Sequence, residues 1–351
     1  MGQGDLQTMG STPEIKWDQI ERFVRFHVEG LSEKPMQVKQ CSAGYSNLTY
    51  LIRIGDWEGV LRRPPFGTIP PKAHDMEREY RILKKLHLVF PLAPKPYLYC
   101  EDPEIMDKHF YIMERKQGVV LDEVMPPEWA KQEEICRIIS ETVVNTLVQL
   151  HDIDYREAGL SDIGRPEGFL ERQVHGWIKR YQNAKTDEIR VTGEIEKWLL
   201  EHIPASPSPT IIHNDFKLNN MMLSPNDPSQ AVAVLDWEMC TIGDPLMDLG
   251  VTLAYWTEEG EAETGLTSIT KTAGFIKRRE FIDLYAQKSG RDLSHIHYYV
   301  TFAFYKIAAV LQQIYFRWKK GETKDQRFSK LNVGIGNLME QAYRTLRKEL
   351  F

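Results

Sequence analysis

The sequence predicts an α+β chain with a small, strand-rich N-terminal part and a larger, mostly helical C-terminal part. Short apolar strands flank polar turns near residues 40–62, and another such strand covers 110–115. Apolar residues recur at helical spacing over 135–150 and 298–318. A strand hairpin is expected over 210–236, between these two helices. At 351 residues the chain exceeds one average domain and suits two lobes.

The N-terminal elements follow from local pattern. Residues 1–13 lack the basic region and apolar core of a signal peptide, and we expect them to be disordered. A small, polar turn lies inside 40–50, and an apolar strand over 59–62 comes next. Over 76–87 the apolar residues have helical spacing, which leaves Glu79 beside the buried stripe.

The hairpin in the second half carries polar groups at its strand ends. The Pro- and Ser-rich segment 203–209 connects to a short strand over 210–212. A strong turn signal at 225–228 precedes a buried strand over 231–235. Asp236 follows that strand directly, so a carboxylate is held at its end.

The polar residues of the hairpin have the spacing of a phosphotransferase. Asp215 and Asn220 match H-x-D-x-x-x-x-N, and Asp236 stands beyond them. Phosphoryl transfer needs positioning and charge neutralisation, so we expect Asp215 to orient the attacking hydroxyl and the two others to hold Mg²⁺. Lys217 would stabilise charge on the γ-phosphate of ATP, and His213 would brace the loop. The alternative is a chance match in a solvated turn.

Two further segments resemble a known superfamily. Residues 236–238 read Asp-Trp-Glu where protein kinases have Asp-Phe-Gly, and 243–249 read GDPLMDL, with no Ala-Pro-Glu after them. The chain therefore resembles the aminoglycoside phosphotransferase and choline kinase superfamily, whose members phosphorylate small molecules. Within this segment the resemblance implies a structural role for Asp248.

The resemblance implies a two-lobed protein-kinase-like fold. Residues 14–117 would form the N-terminal ATP-binding lobe, and 118–351 would form the catalytic and acceptor-binding lobe. Residues implied to contact the nucleotide lie in a phosphate-covering loop, at a strand and helix that form an ion pair, and in an adenine-binding hinge. They are Gly44, Ser46 and Asn47, then Arg62 and Glu79, then Glu114 and Arg115.

The chain departs from the superfamily pattern at two positions. Arg62 stands where most kinases have Lys, and its forked side chain can still bridge a carboxylate and a phosphate with altered geometry. The alternatives are a surface role for Arg62, or Glu77 as its partner. Asn214 occupies a position that is often Gly. These departures keep open a catalytically silent module that binds a nucleotide or an acyl compound.

A narrower resemblance covers most of the chain. Residues 61–65, 71–74 and 235–245 resemble the kinase-like domain that is fused to acyl-CoA dehydrogenases in some proteins. That resemblance implies an acceptor hydroxyl on an acyl or acyl-CoA compound.

Two charged patches predict opposite acceptors. Lys306, Gln313 and Arg317 share one face of an apolar helix, and we expect them to bind an anionic group of the acceptor. Alternatively, the two cations reach solvent or pair with structural acids. Four glutamates over 258–263 could instead attract an aminoglycoside or another amino alcohol, or form a solvated loop.

Composition limits the remaining possibilities. A formal charge of −6 gives no reason to expect nucleic acid as a partner. The four cysteines show no C-x-x-C pairing, which favours a reducing cytoplasm over a disulfide framework or a zinc site. The apolar helix over 298–318 contains Lys306 near its middle, so we expect it to be buried in protein and not in a membrane. Oligomeric state is left open.

Overall fold

The computed structural model describes residues 15–41, 47–66, 74–130, 132–266, 269–323 and 325–351. Within this part the chain divides into two compact units. The first contains the described residues up to Gln117 together with Ala233–Glu238. The second contains Gly118–Val232 and Met239–Phe351.

The first unit is built on a five-stranded antiparallel sheet with strand order β1-β2-β3-β5-β4. Strand β2 alternates buried and partly exposed residues, as a strand with one covered face requires. The strands are β1 Gln37–Gln40, β2 Leu48–Ile54, β3 Trp57–Arg63, β4 Pro96–Cys100 and β5 Phe110–Glu114. The helices are α1 Trp17–His27 and α2 Met76–Leu86.

Helix α2 begins with a side-chain cap. The Asp75 carboxylate accepts the backbone N–H of Arg78 at 2.9 Å, which satisfies one of the free N–H groups of the first turn. Glu79 lies one turn into the helix and is only 1% exposed. A buried carboxylate needs a charged partner. Its position therefore depends on the strand beneath it.

The segment 233–238 was expected in the second lobe, but it packs within the first unit. The backbone N–H of Val234 donates to the carbonyl of Leu92 at 2.8 Å. The ring of Trp237 is 1% exposed and meets Phe90 edge-on, with 5.9 Å between ring centroids. Burial of this large ring holds the segment there. Asp236 is thereby fixed in the first unit.

The second unit is mostly helical. Helix α8 is buried along most of its length, and α9, α6 and α4 pack against it. Its bounds confirm the helix predicted over 298–318. The helices are α3 Glu133–His151, α4 Phe169–Ala184, α5 Thr192–Glu201, α6 Pro245–Tyr255, α7 Arg278–Ser289, α8 Ile296–Lys319 and α9 Leu331–Leu346.

Short strands frame the loop that carries Asp215. The antiparallel pair β7 Thr210–Ile212 and β10 Thr241–Gly243 lies before and after it. A three-stranded sheet of β6 Val119–Val120, β8 Met221–Ser224 and β9 Asp227–Val234 has the order β6-β8-β9.

Strand β9 begins four residues earlier than the sequence predicted. The turn between β8 and β9 is only residues 225–226, so Asp227 and Pro228 belong to the strand. Pro228 has no N–H to donate, and an edge strand tolerates that loss. Since β9 is at the edge of its sheet, the proline signal marked a strand start and not a longer turn.

Helix α6 is held tightly at both its start and its middle. Asp244 caps it by accepting the N–H of Leu246 at 2.9 Å, and Pro245 occupies the first turn. A Cβ on Gly250 would lie 2.6 Å from the carbonyl oxygen of Tyr299, so only glycine allows α6 to approach α8 this closely. Asp248, one turn into α6, is therefore rigidly placed.

The predicted fold class is confirmed: the first unit is rich in strands and the second is mostly helical. Among the described residues, no helix is long and apolar enough to cross a membrane.

Candidate active site

The loop after β7 is anchored through its backbone to Asp248. The two carboxylate oxygens of Asp248 accept the backbone N–H groups of His213 and Asn214, each at 2.5 Å. Asp248 is fully buried, so these bonds form in a medium of low dielectric constant. The loop is therefore held by two charge-assisted hydrogen bonds just before Asp215.

Asn214 adopts the left-handed conformation that glycine favours, with φ of 67°. Asn is one of the few other residues that enters this region readily. Its side-chain Nδ2 donates to the carbonyl of Met239 at 3.0 Å. The departure from glycine at this position is thus compatible with the same backbone path.

Asp215 has two polar neighbours on one oxygen. Lys217 Nζ lies 2.9 Å from its Oδ2, and Asn220 Nδ2 donates to the same oxygen at 3.1 Å. Asn220 Nδ2 also donates to the backbone carbonyl of Asp215 at 2.9 Å. This orientation turns the amide oxygen of Asn220 away from Asp215. Asp215, Lys217 and Asn220, which were predicted to act in phosphoryl transfer, are thus brought together, and their roles stay predictions.

His213 and Tyr255 complete the surroundings of the loop. The imidazole Nδ1 of His213 accepts the backbone N–H of Asp215 at 3.3 Å, which is the contact that a bracing residue would make. The Tyr255 ring centroid lies 4.8 Å from Lys217 Nζ. Burial and the nearby Asp215 charge raise the pKa of Tyr255 to about 12, so the phenol stays protonated at neutral pH. Sequence analysis missed Tyr255 because it lies within an apolar helix.

A fully buried polar group lies on the other side of Asp248. His151 Nε2 is 3.4 Å from Asp248 Oδ2, and its Nδ1 is 2.7 Å from the hydroxyl of Tyr285. Burial lowers the pKa of His151, which favours the neutral ring. A neutral ring that accepts from the Tyr285 hydroxyl at Nδ1 donates from Nε2 to Asp248. All of this network belongs to the second unit.

The cationic helix face does not form one compact site. Lys306 is 6% exposed, and its Nζ donates to the backbone carbonyl of Asn214 at 3.0 Å. Burial lowers its pKa. Gln313 donates within its own helix to the carbonyl of Ala309 at 3.2 Å, whereas Arg317 is exposed. Lys306 and Arg317 are separated by about 16 Å along α8 at the usual rise per residue.

Arg62 is the centre of an ion network in the first unit. Its Nη1 lies 3.2 Å from Glu79 Oε1, and its Nη2 donates to Asp236 Oδ1 at 2.9 Å. The predicted ion pair with Glu79 is present, and Glu77 is exposed. Arg62 is 8% exposed and not a surface residue. The fork of the guanidinium explains how one side chain bridges two carboxylates, which a lysine could not do in the same geometry.

Glu238 belongs to a second polar group beside this network. Asn47 Nδ2 donates to Glu238 Oε2 at 2.8 Å, and Asn47 Oδ1 is 2.8 Å from His74 Nδ1. Burial, followed by the nearby Asp236 charge, raises the pKa of Glu238 to about 7. Sequence analysis used Glu238 and His74 only as family markers. Their contact with Asn47 joins segments 27 and 191 residues apart, which local pattern does not reveal.

The residues predicted for the adenine-binding hinge end strand β5. The backbone N–H of Glu114 donates to the carbonyl of Lys95 at 2.8 Å. Arg115 pairs with Glu58 at 2.6 Å, so its side chain is directed to another strand. The Glu114 N–H and the Arg115 side chain thus have partners within the first unit, and the role of both residues in binding adenine stays a prediction. Gly44 and Ser46 lie outside the described residues.

Two of the four glutamates over 258–263 already form ion pairs within the protein. Glu261 forms an ion pair with Arg278, and Glu258 accepts the backbone N–H of Arg278 at 2.7 Å. Glu263 pairs with Lys271 at 2.6 Å. Glutamates that have protein partners attract a polycationic ligand less strongly. This arrangement weakens the case for an aminoglycoside acceptor.

Comparison with known proteins identifies the family of this chain. Residues 37–276 match the phosphotransferase enzyme family. The mouse protein acyl-CoA dehydrogenase family member 11 is 32% identical over 330 residues, which cover 91% of this chain and 42% of that protein. The chain thus spans less than half the length of this curated relative.

Solved structures share the architecture. A Ralstonia eutropha protein classed provisionally as an aminoglycoside phosphotransferase has a TM-score of 0.80 and 29% identity, over 95% of this chain and 98% of that one. The phosphotransferase APH(4)-Ia, in complex with ADP and hygromycin B, has a TM-score of 0.60 and 17% identity, over 93% and 98% of the two chains. The second likeness concerns the fold alone, and together they confirm the predicted kinase-like fold.

Proposed function

Because the chain belongs to the phosphotransferase enzyme family, we propose that it transfers the γ-phosphoryl group of ATP to a hydroxyl group of a small molecule. The observation that carries this proposal is the arrangement around Asp215. Lys217 and Asn220 both contact Oδ2 of this carboxylate. We assign the acceptance of the proton to the other oxygen, Oδ1.

The chemistry assigned to the loop is a single in-line displacement. The acceptor hydroxyl oxygen forms a bond to the γ-phosphorus while the bond from that phosphorus to the ADP oxygen breaks. Asp215 Oδ1 takes the hydroxyl proton, and ADP leaves with its negative charge. Lys217 orients the Asp215 carboxylate through its 2.9 Å contact with Oδ2. The positive charge of Lys217 also stabilises the negative charge that spreads over the phosphoryl oxygens.

Magnesium is the metal that the residues present would suit. By the sequence motif, Asn220 and Asp236 would supply oxygen atoms, which Mg²⁺ prefers, and Mg²⁺ usually takes only one or two carboxylates besides nucleotide phosphates. When bound, Mg²⁺ would neutralise phosphate charge. Arg62 orients the Asp236 carboxylate through its 2.9 Å hydrogen bond.

For the acceptor we favour a hydroxyacyl or hydroxyacyl-CoA compound. Support comes from a relative that is named an acyl-CoA dehydrogenase family member, and from the exposed Arg317. Lys306 is used to hold the loop, so only Arg317 of the two cations is offered to an anionic group. A small carboxylate cannot reach both, but an elongated acceptor can extend along α8. The four cysteines form no disulfide, which supports a cytoplasmic location.

An aminoglycoside acceptor is the second candidate. It is favoured by the likeness to the Ralstonia eutropha protein at 29% identity. The ion pairs that Glu261 and Glu263 already form count against an aminoglycoside acceptor. A catalytically silent binding module is the third reading, and the assay below separates all three.

The decisive experiment measures the transfer of phosphate from ATP, in the presence of Mg²⁺, to each compound of a panel of acceptors. The panel contains aminoglycosides, choline-like alcohols, free hydroxy acids and their CoA thioesters, and mass spectrometry locates the transferred phosphate. We expect phosphate on the hydroxyacyl compounds, with faster turnover for the thioester. Phosphate on aminoglycosides alone would select the second candidate. Nucleotide binding without transfer to any acceptor would select the silent module.

Replacing Arg317 with alanine should raise the KM for the acceptor about fivefold and leave ATP affinity unchanged, because an exposed charge contributes modestly to binding an anion. Steady-state kinetics with the best acceptor of the panel measures both. Arg279→Ala is the matched control, since Arg279 is an exposed arginine on α7. Equal KM values for wild type and Arg317→Ala would exclude the proposed contact.

A further inference from the structure

Three polar side chains in the first unit form one hydrogen-bonded chain. His74 Nδ1 lies 2.8 Å from Asn47 Oδ1, and Asn47 Nδ2 donates to Glu238 Oε2 at 2.8 Å. The three residues come from separate segments: one just before β2, one just before α2 and one after β9. No role has been given to His74 so far.

The chain has a fixed direction. Asn47 Nδ2 donates to Glu238 Oε2, and the amide oxygen of Asn47 faces the imidazole. An amide oxygen can only accept, so Nδ1 of His74 carries the hydrogen. This hydrogen bond from His74 favours the orientation in which the Asn47 amide presents a donor to Glu238.

Burial and backbone geometry show that the arrangement is maintained by its surroundings. Asn47 is 7% exposed, so its hydrogen bonds are poorly replaced by water. His74 has φ of 58°, in the left-handed region that non-glycine residues seldom adopt. The backbone carbonyl of Glu238 also accepts a hydrogen bond from Arg78 Nη1 at 3.1 Å. The backbone of Glu238 is therefore held from the first turn of α2, and its side chain is held by Asn47.

The carboxylates near Glu238 indicate that an oriented Glu238 would help to bind a cation. Glu79, Asp236 and Glu238 carry three carboxylates, and Arg62 is the cation that bridges the first two. Asp236 and Glu238 offer carboxylate oxygens, which are ligands that a hard cation such as Mg²⁺ prefers. The magnesium nucleotide that the proposed function requires supplies such a cation.

We propose that His74 is a positioning residue for the magnesium nucleotide, which acts through Asn47 to hold the Glu238 carboxylate beside Asp236. This inference rests on the proposed function. His74 itself need not touch the nucleotide. Its effect is transmitted by one amide group, so it depends on the Nδ1 position and not on Nε2.

The test measures binding of ADP to the full chain by calorimetry, with excess Mg²⁺ and with EDTA. Loss of one buried hydrogen bond predicts that His74→Ala and His74→Gln weaken Mg²⁺-dependent binding about tenfold. His74→Asn should stay within about threefold of wild type, because its amide N–H can replace Nδ1 and Asn tolerates positive φ. Affinity in EDTA should be the same for all four proteins.

A double-mutant cycle gives a second, independent readout. If His74 acts through Glu238, His74→Ala should add nothing to the loss caused by Glu238→Gln. Thermal unfolding of each variant identifies a folding defect. If His74→Ala does not fold, the comparison of His74→Asn with His74→Gln still tests whether His74 acts through Nδ1.

Three results would overturn the inference: wild-type affinity in His74→Gln, losses that add in the double variant, or loss in His74→Asn with retention in His74→Gln. The last would indicate direct contact through Nε2. Failure of the wild-type protein to bind ADP with Mg²⁺ would instead refute the proposed function.

Discussion

Replacing Asp215 with asparagine or alanine is expected to lower turnover about 10²- to 10⁴-fold, the usual contribution of a positioned general base. Asparagine keeps the shape of the side chain and can still accept from Lys217, but it cannot take the acceptor proton. ATP affinity should change little, because the predicted ATP contacts are other residues. Initial rates with the preferred acceptor, together with calorimetry of ADP, measure the two effects separately.

The control for Asp215 is Asp283→Ala, which removes an exposed carboxylate on α7. It should keep wild-type turnover. Near-normal turnover in Asp215→Asn would show that this carboxylate is not the proton acceptor. A parallel loss of ADP binding in both Asp215 variants would instead indicate a distorted loop.

Removing the Asp248 carboxylate should affect both stability and activity. Asp248→Ala leaves the buried N–H groups of His213 and Asn214 without their acceptor. Unsatisfied buried donors cost about 1–3 kcal/mol each, so we expect a loss of about 2–6 kcal/mol in the free energy of unfolding. Urea denaturation followed by tryptophan fluorescence measures it.

Activity distinguishes this role of Asp248 from general destabilisation. The loop that carries Asp215 loses its anchor, so turnover at a temperature where the variant is folded should still be strongly reduced. Asp248→Asn can accept only one of the two N–H groups, and an intermediate loss of stability is expected. An Asp248→Ala protein with normal turnover would contradict the anchoring role.

Much of the fold and part of the site followed from local sequence. Helical spacing located α2, α3 and α8 within a few residues, because their buried stripes are long. The spacing of Asp215 and Asn220 predicted that the two residues lie in one loop, because a short motif between two strands restricts the conformations of the backbone.

Other features depended on contacts between distant segments. Helical periodicity placed Lys306 on a face with Arg317, but it carries no information on depth, and Lys306 is buried against the loop backbone. Tyr255 has no polar pattern around it. Asn47 was predicted as a nucleotide contact, yet its hydrogen bond to Glu238 crosses 191 residues and only the folded chain reveals it.

The packing of Trp237 against Phe90 also governs when the first unit can be completed during synthesis. Residues up to Gln117 emerge from the ribosome first, but the segment Ala233–Glu238 that belongs with them follows more than a hundred residues later. Until then the apolar surface that Trp237 covers is exposed to water. A nascent chain must therefore leave the Phe90 side of its first unit uncovered while the loop that carries Asp215 is being translated.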